Sequence, residues 1–256
     1  MFRRYPGPLV RRGLLIFAAT VLLSAAMRAA QAALPSAREI IDRYLAASGG
    51  SKAMLAIKTV RAHGTLAIPS QQMSGSFEMI AMRPNKAIMR ATIGGIGQIE
   101  EGFDGKVGWS IDPLSGPSLV TGKALGERAD ESWFDAALHA PDFVRQMTVV
   151  GRETMDGRQA YHVKVVLLSG VEQSEYFDVE NGLQIAMVAT RETPLGPMPS
   201  TTMFREYRKF GALTLPVTHV QRVLGAEQVV TLAGYEFDTV QATAFDLPAV
   251  IKALIK

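Results

Sequence analysis

The sequence predicts a mainly β protein built on one large, curled antiparallel sheet with a few helices. Three observations predict it. From Lys58 onward, apolar and polar residues alternate with a period of two through most of the chain. The alternating runs are separated by hairpin dipeptides, Asp104-Gly105, Asp156-Gly157 and Asn181-Gly182, which suit tight turns. Stretches with helical spacing amount to only about forty residues, too few to pack the whole inner face of such a sheet. A partly unfilled concave surface is the expectation, and a closed sandwich is the alternative.

The elements follow in order. Ser36 and Glu39 form an S-x-x-E capping box, and Ile40, Ile41, Tyr44 and Leu45 follow at helical spacing until Gly49-Gly50 stops the helix. A short second helix is expected over Ser51–Ile57. Five strands come next: Lys58–Ile68, Gly75–Arg83, Lys86–Ile93, Gln98–Phe103 and Lys106–Ile111. Pro84-Asn85 and Gly94-Gly95-Ile96-Gly97 read as turns between them. Leu125, Ala129, Trp133, Ala136 and Ala137 then recur at helical spacing, which predicts a helical insert over Leu125–Leu138, closed by Pro141. Seven more strands are expected: Met147–Glu153, Gln159–Leu168, Gln173–Val179, Leu183–Glu192, Thr201–Phe210, Val217–Leu224 and Gln228–Thr239. Leu195-Gly196-Pro197-Met198-Pro199 reads as the most irregular loop, and Pro248–Ile255 as one or two helical turns. No repeat or linker divides the run, so residues 33–256 are expected to form a single domain.

Residues 1–32 have a different character. They hold Arg3, Arg4, Arg11, Arg12 and Arg28 with no acid, then the apolar run Gly13–Ala26, then Ala30-Gln31-Ala32. A basic start, a short apolar run and an A-x-A site describe a secretory signal peptide cut after Ala32. The alternative, a membrane anchor, is short of length: 14 residues rise about 21 Å as a helix, against a hydrocarbon core of about 30 Å. Arg11-Arg12 faintly resembles a twin-arginine signal. The formal charge of +3 depends on those arginines, and without them the 27 basic and 24 acidic residues become a slight acidic excess. An acidic body with scattered lysines has no footprint for phosphates, so nucleic acid is not expected as a partner. The chain has no cysteine, which excludes disulfides and thiolate metal sites.

Catalytic and cofactor motifs are missing. His63, His139, His162 and His219 show no H-x-H or H-E-x-x-H spacing, and each is expected on a strand or helix surface. No G-x-S-x-G elbow occurs, and Asp and Glu are spread along strands without spacing that forces a pair together. The expectation is a non-enzyme without cofactor or metal, although an active site assembled from distant strands stays open. The informative strand is Gly75–Arg83. Its alternation sets Phe77, Met79, Ala81 and Arg83 on one face, so that a guanidinium ends an apolar row. If buried, it must find acceptors; otherwise it reaches out to solvent. Met89 and Met187 also fall on strands, where methionine suits either an irregular ligand or a core gap.

Two motifs and a C-terminal stretch resemble a known family. Met82-Arg83-Pro84-Asn85-Lys86 resembles the V-K-R-P-N segment of the periplasmic lipoprotein carrier LolA and its relatives. Phe103-Asp104-Gly105-Lys106-Val107-Gly108-Trp109, followed by Asp112-Pro113, resembles that family's D-G-K-x-x-W…N-P stretch, and Phe245-Asp246-Leu247-Pro248 its F-D-L-P-like end. The order of elements agrees over about residues 35 to 248. The resemblance implies an incomplete β-barrel with an apolar concave face, covered by helices acting as a lid, that shields acyl chains of a lipoprotein or lipid in transit. It implies that Arg83 lies inside the cavity and hydrogen-bonds to the lid, and that Trp133 and Phe134 belong to the lid helix. Strand alternation predicts that Phe77, Met79, Met89, Trp109 and Met187 face the concave side as ligand contacts, with Ala81 in the row of Phe77 and Met79. The resemblance also implies a periplasmic, monomeric protein that meets inner- and outer-membrane partners transiently. The lack of a cysteine after the leader favours the soluble carrier over the anchored acceptor LolB. Within the same superfamily, a lipid binder of envelope biogenesis and a sensor or scaffold for a protein partner are the alternatives.

Overall fold

The first helix, α1 (Ala37–Ala47), begins as the capping box predicts: the Glu39 N–H donates to Ser36 Oγ at 3.3 Å, and the Ser36 N–H donates to Glu39 Oε2 at 2.7 Å. Ile40, Ile41 and Leu45 are its buried stripe. Gly49, at φ +114°, ends it against the turn at Ala212, where a Cβ would sit 2.2 Å from the Ala212 carbonyl oxygen. α2 (Ser51–Ala56) follows directly. The structure, a computed structural model, describes residues 34–139, 144–193, 196–223 and 225–255. The expected signal peptide and Pro141 lie outside the described residues.

Thirteen strands form one antiparallel sheet. They are β1 (Thr59–Ile68), β2 (Met73–Met82), β3 (Lys86–Ile93), β4 (Gly97–Phe103), β5 (Gly108–Asp112), β6 (Gly116–Val120), β7 (Val144–Met155), β8 (Arg158–Leu167), β9 (Glu172–Asp178), β10 (Gln184–Thr193), β11 (Gly196–Phe210), β12 (Leu213–Val223) and β13 (Ala226–Phe237). Their order is β6-β5-β4-β3-β2-β1-β13-β12-β11-β10-β9-β8-β7. Two meanders are therefore joined by the pairing of β1 with β13, and β6 and β7 are left as the two edges of an incomplete barrel. The closed-sandwich alternative is set aside, since a single sheet carries all the strands.

Three expectations need correction. β6 is a strand that alternation did not reveal. Asp112 Oδ1 accepts the Leu114 and Ser115 N–H groups to make the hairpin, and Pro117 is tolerated because β6 is an edge. Gly196–Pro199, read as loop, is the start of β11. That stretch pairs only with β10, since the β12 pairing begins at Ser200, and an edge again accommodates Pro197 and Pro199. The helical insert is also displaced. α3 spans Gly122–Glu131 and ends where the Ser132 hydroxyl donates to the Arg128 carbonyl at 2.7 Å. Trp133 and Phe134 therefore sit in the turn beyond it, before a 3-10 turn at Ala136–His139.

Both faces of the sheet carry packed clusters. On the concave face, Ile40, Ile41, Leu45 and Met54 pack onto Val163, Val165, Leu167, Phe177 and Leu213. On the convex face, Ile80, Ile88 and Trp109 are buried under Val240, Phe245 and Ile251 from the C-terminal segment, which includes α4 (Ala249–Lys252). Full burial of each such aliphatic side chain contributes about 1.5–3 kcal/mol. The C-terminal segment thus seals the outside of the β2–β5 meander, and α1 and α2 occupy part of the inside.

Candidate functional site, a lidded cavity on the concave face

The helices leave part of the concave face open, and a cavity of about 580 Å³ remains under the lid. This lies within the range of about 300–1,000 Å³ usual for small-molecule sites. α3 spans the mouth. Arg128 reaches Glu101 on β4 at 2.6 Å, and Asp130 accepts the hydroxyl of Ser169 in the turn between β8 and β9. Beyond the helix, Trp133, Phe134, Ala136 and Ala137 roof the cavity, Ile41 and Tyr44 wall it from α1, and Met79, Val165, Leu167, Phe177, Met187 and Ala189 enter from the sheet.

Arg83 fastens the lid. It continues the inward row of β2, one residue past its end. Its Nε donates to the Ile57 carbonyl at 2.7 Å, one Nη donates to the Met54 carbonyl at 2.9 Å, and the other pairs with the Asp135 carboxylate. The Phe134 ring lies 5.2 Å from its guanidinium carbon, a cation–π contact. One side chain thus ties the end of α2, the roof and the sheet. The two carbonyls belong to α2 and the residue after it, and the lid contributes a fully buried carboxylate.

The remaining site candidates divide. Met79, Met187, Trp133 and Phe134 border the cavity. Phe77 and Met89 share the inward face, but pack against Leu66, Ile68, Ala91 and Ile93 further along the sheet. Ala81 is buried in the same row. Trp109 faces the other way. It lies opposite Gly102, which pairs with Ile88 and through it with Ile80, so the register sets all four on the convex side. The expectation of a cavity-facing Trp109 rests on strand alternation without register, and the structure corrects it.

The sequence reading missed the polar part of the wall. Gln173 and Glu175 from β9, Gln184 from β10, Ser200 and Thr202 from β11, and His219 and Gln221 from β12 all border the cavity. Gln173 donates to Glu175 Oε1 at 2.6 Å, but desolvation outweighs that bond and pushes the Glu175 carboxyl up to about 7. Burial raises the Tyr44 hydroxyl above the usual phenol range, with the Glu175 charge adding to it. Burial also pushes His219 down to about 4, and its Nε2 is buried without a hydrogen-bond partner. His219, expected on a surface, is thus a neutral imidazole in a cavity wall. Alternation along β9 and β12 placed these residues on one face; only the register says which face points inward.

One constellation lies outside the cavity. On the convex face, His162 Nδ1 meets Glu153 Oε1 at 2.7 Å and its Nε2 meets Ser174 Oγ at 2.9 Å, while the ring stacks on Tyr176. The spacing resembles a hydrolytic triad. Ser174 sits within β9 between β8 and β10, where backbone N–H groups serve the ladder rather than an oxyanion, so the three act as a cross-strand hydrogen-bond chain. Among the described residues, no group of acids and histidines is arranged to hold a metal ion.

An open antiparallel barrel with helices inside and a lidded cavity defines the class of architecture. It is the fold of the LolA superfamily. A LolA superfamily protein from Nitrosomonas europaea superposes with a TM-score of 0.55 at 11% identity, covering 84% of this chain and 99% of that one. An outer membrane lipoprotein-sorting protein domain from Vibrio parahaemolyticus matches at 12% identity over 82% of this chain and 95% of its own, with a TM-score of 0.47. A DUF1329 family protein from Desulfovibrio piger matches at 11% identity over 81% and 96%, with a TM-score of 0.49. No protein-family model and no curated protein sequence matches the chain.

Proposed function

We propose that this protein is a non-catalytic carrier or binder of acyl chains, exported to the periplasm, that holds the chain of a lipoprotein or lipid in the concave cavity. The observation that carries this reading is the roofed cavity itself, covered by Trp133 and Phe134, with Arg83 bound to the roof through Asp135. An acyl chain gains about 0.8 kcal/mol per buried CH₂, so six to eight methylenes supply about 5–6 kcal/mol before ordering costs. That moderate gain suits a protein that must also release its cargo to membrane partners. The Arg83 contacts with Asp135 and Phe134 hold the lid down, so a ligand must displace the lid to enter and the lid helps expel it. Met79 and Met187 adapt their shape to the chain, while Phe77 and Met89 extend the apolar floor beyond the cavity when the lid opens.

The test is native mass spectrometry of the exported protein together with displacement of a dye that fluoresces in apolar pockets. Copurified lipid and dye displacement by acylated ligands support the carrier. A folded protein that binds neither dye nor acyl chain sinks it.

A further inference from the structure

We infer that the cavity selects acyl chains whose head carries hydrogen-bond donors, an amide or an ammonium, and turns away carboxylate and phosphate heads. This rests on the carrier reading, and it specifies which acyl ligands the cavity takes.

The charges of the wall point this way. The residues around the cavity include the carboxylates Asp130, Glu131, Asp135 and Glu175, and neither a lysine nor an arginine. Arg83 lies outside this lining, and when the roof lifts Asp135 away its guanidinium stays bonded to the Ile57 and Met54 carbonyls, which are not part of the lid. An anionic head entering the cavity would therefore lose its water and meet carboxylates, with no cation to pair. A headless hydrocarbon would fare little better, because it would cover the polar strip of β9, β11 and β12 and leave those groups without water.

The hydrogen-bonding capacity points the same way. Gln221 spends its amide N–H on Ser200 Oγ at 3.1 Å, which keeps its carbonyl oxygen as an acceptor. Glu175 takes the Gln173 amide on one oxygen and has a second. His219 contributes a ring nitrogen that nothing satisfies in the empty protein. A wall rich in acceptors asks for donors. The apolar remainder, with Met79, Met187 and Ala189, accommodates the chain attached to the head. The high pKa of Glu175 agrees: buried without a cation, the carboxyl tends to keep its proton, and a ligand ammonium or amide N–H can take that proton's place.

The experiment uses the protein lacking residues 1–32 and four probes of one chain length, decanamide, decylamine, decanoate and decyl phosphate. Each is kept below its critical micelle concentration and competes against a pocket dye at pH 8. Decanamide and decylamine are expected to displace the dye at concentrations at least tenfold lower than the two anions. The uncharged amide separates hydrogen bonding from a general attraction of cations to an acidic protein. Glu175→Gln should narrow the advantage of the amine over decanoate at least fivefold, with an unchanged circular dichroism spectrum. Decanoate binding as well as decanamide overturns the selectivity while leaving the carrier reading intact. Failure of all four probes overturns both.

Discussion

The carboxylate of Asp135, with no side-chain exposure at all, is paired with the guanidinium of Arg83, which retains 23%. The two come from different parts of the fold, the lid and the end of the β2 row. A buried carboxylate deprived of its partner is costly, about 3–5 kcal/mol where nothing relaxes. Here relaxation is available, because the roof can lift and return Asp135 to water. Arg83→Leu is therefore expected to open the lid rather than unfold the sheet. Amide exchange should accelerate across residues 122–138 and stay unchanged in β1 and β13. Cargo should be held longer and passed more slowly to acceptor vesicles. A second change, Asp135→Leu, should restore much of the protection by removing the stranded charge. Equal exchange and equal transfer in wild type and Arg83→Leu would show that the pair does not govern the lid.

The latch also shows what the sequence made legible. The row Phe77, Met79, Ala81, Arg83 could be read from alternation alone, and the need of its terminal guanidinium for acceptors followed from burial energetics. Asp135 could not be found the same way. It lies in a turn, 52 positions from Arg83, where neither periodicity nor spacing marks a carboxylate as inward. The strands were legible where hairpin dipeptides and alternation agreed, and invisible where proline interrupted them, as at Pro117 and at Pro197–Pro199. Trp109 marks the other limit. Its motif was recognisable, but its direction depends on the pairing of β5 with β4, which is a property of the folded sheet.

Trp109 gives the next prediction. It is fully buried, its Nε1 donates to Glu100 at 3.1 Å, and the ring lies across Gly102, where an added Cβ would fall 2.1 Å from the indole. Gly102→Ala must therefore push the indole or part the strands. Overpacking of this kind costs about 1–3 kcal/mol, and the rigid ring puts this site at the upper end. Because the affected face is convex, ligand affinity should be unchanged at temperatures where the variant is folded. Thermal denaturation and dye binding measured on the same sample decide it. A lowered affinity with unaltered stability would contradict the placement.

Glu175 makes stability depend on pH in the direction opposite to most carboxylates. Its pKa is raised by burial from the ordinary 4.5 to about 7, so between those values the folded state holds a proton that the unfolded state has released. The contribution of Glu175 to stability is thus most favourable below about pH 4.5, declines as pH rises, and levels off above about 7. Glu175→Gln, which cannot ionise, should gain stability relative to wild type at pH 8 and gain little at pH 4.5. The difference between the two melting temperatures, followed across pH, isolates this group from the others. A difference independent of pH would mean the carboxyl titrates normally.

Export makes a simple prediction from the first 32 residues. Protein recovered from the periplasmic fraction of an expressing bacterium should begin at Ala33-Leu34-Pro35 by N-terminal sequencing. Full-length chain in the membrane pellet would identify the segment as an anchor instead.

The two tryptophans of the chain allow the cavity to be observed directly. Trp133 borders the cavity, whereas Trp109 is sealed on the far face of the sheet. Replacing Trp109 with Phe keeps a large aromatic ring in that core and leaves Trp133 as the sole emitter. A brominated acyl amide, whose heavy atoms quench at contact distance, should then quench most of the fluorescence at saturation. The converse variant, Trp133→Phe, should keep its Trp109 emission when the same ligand binds, because the sheet stands between them. Affinity in the second variant should fall only modestly, since phenylalanine preserves most of the apolar roof. Quenching of Trp109 to the same extent as Trp133 would place the acyl chain outside the cavity and refute the proposed binding site.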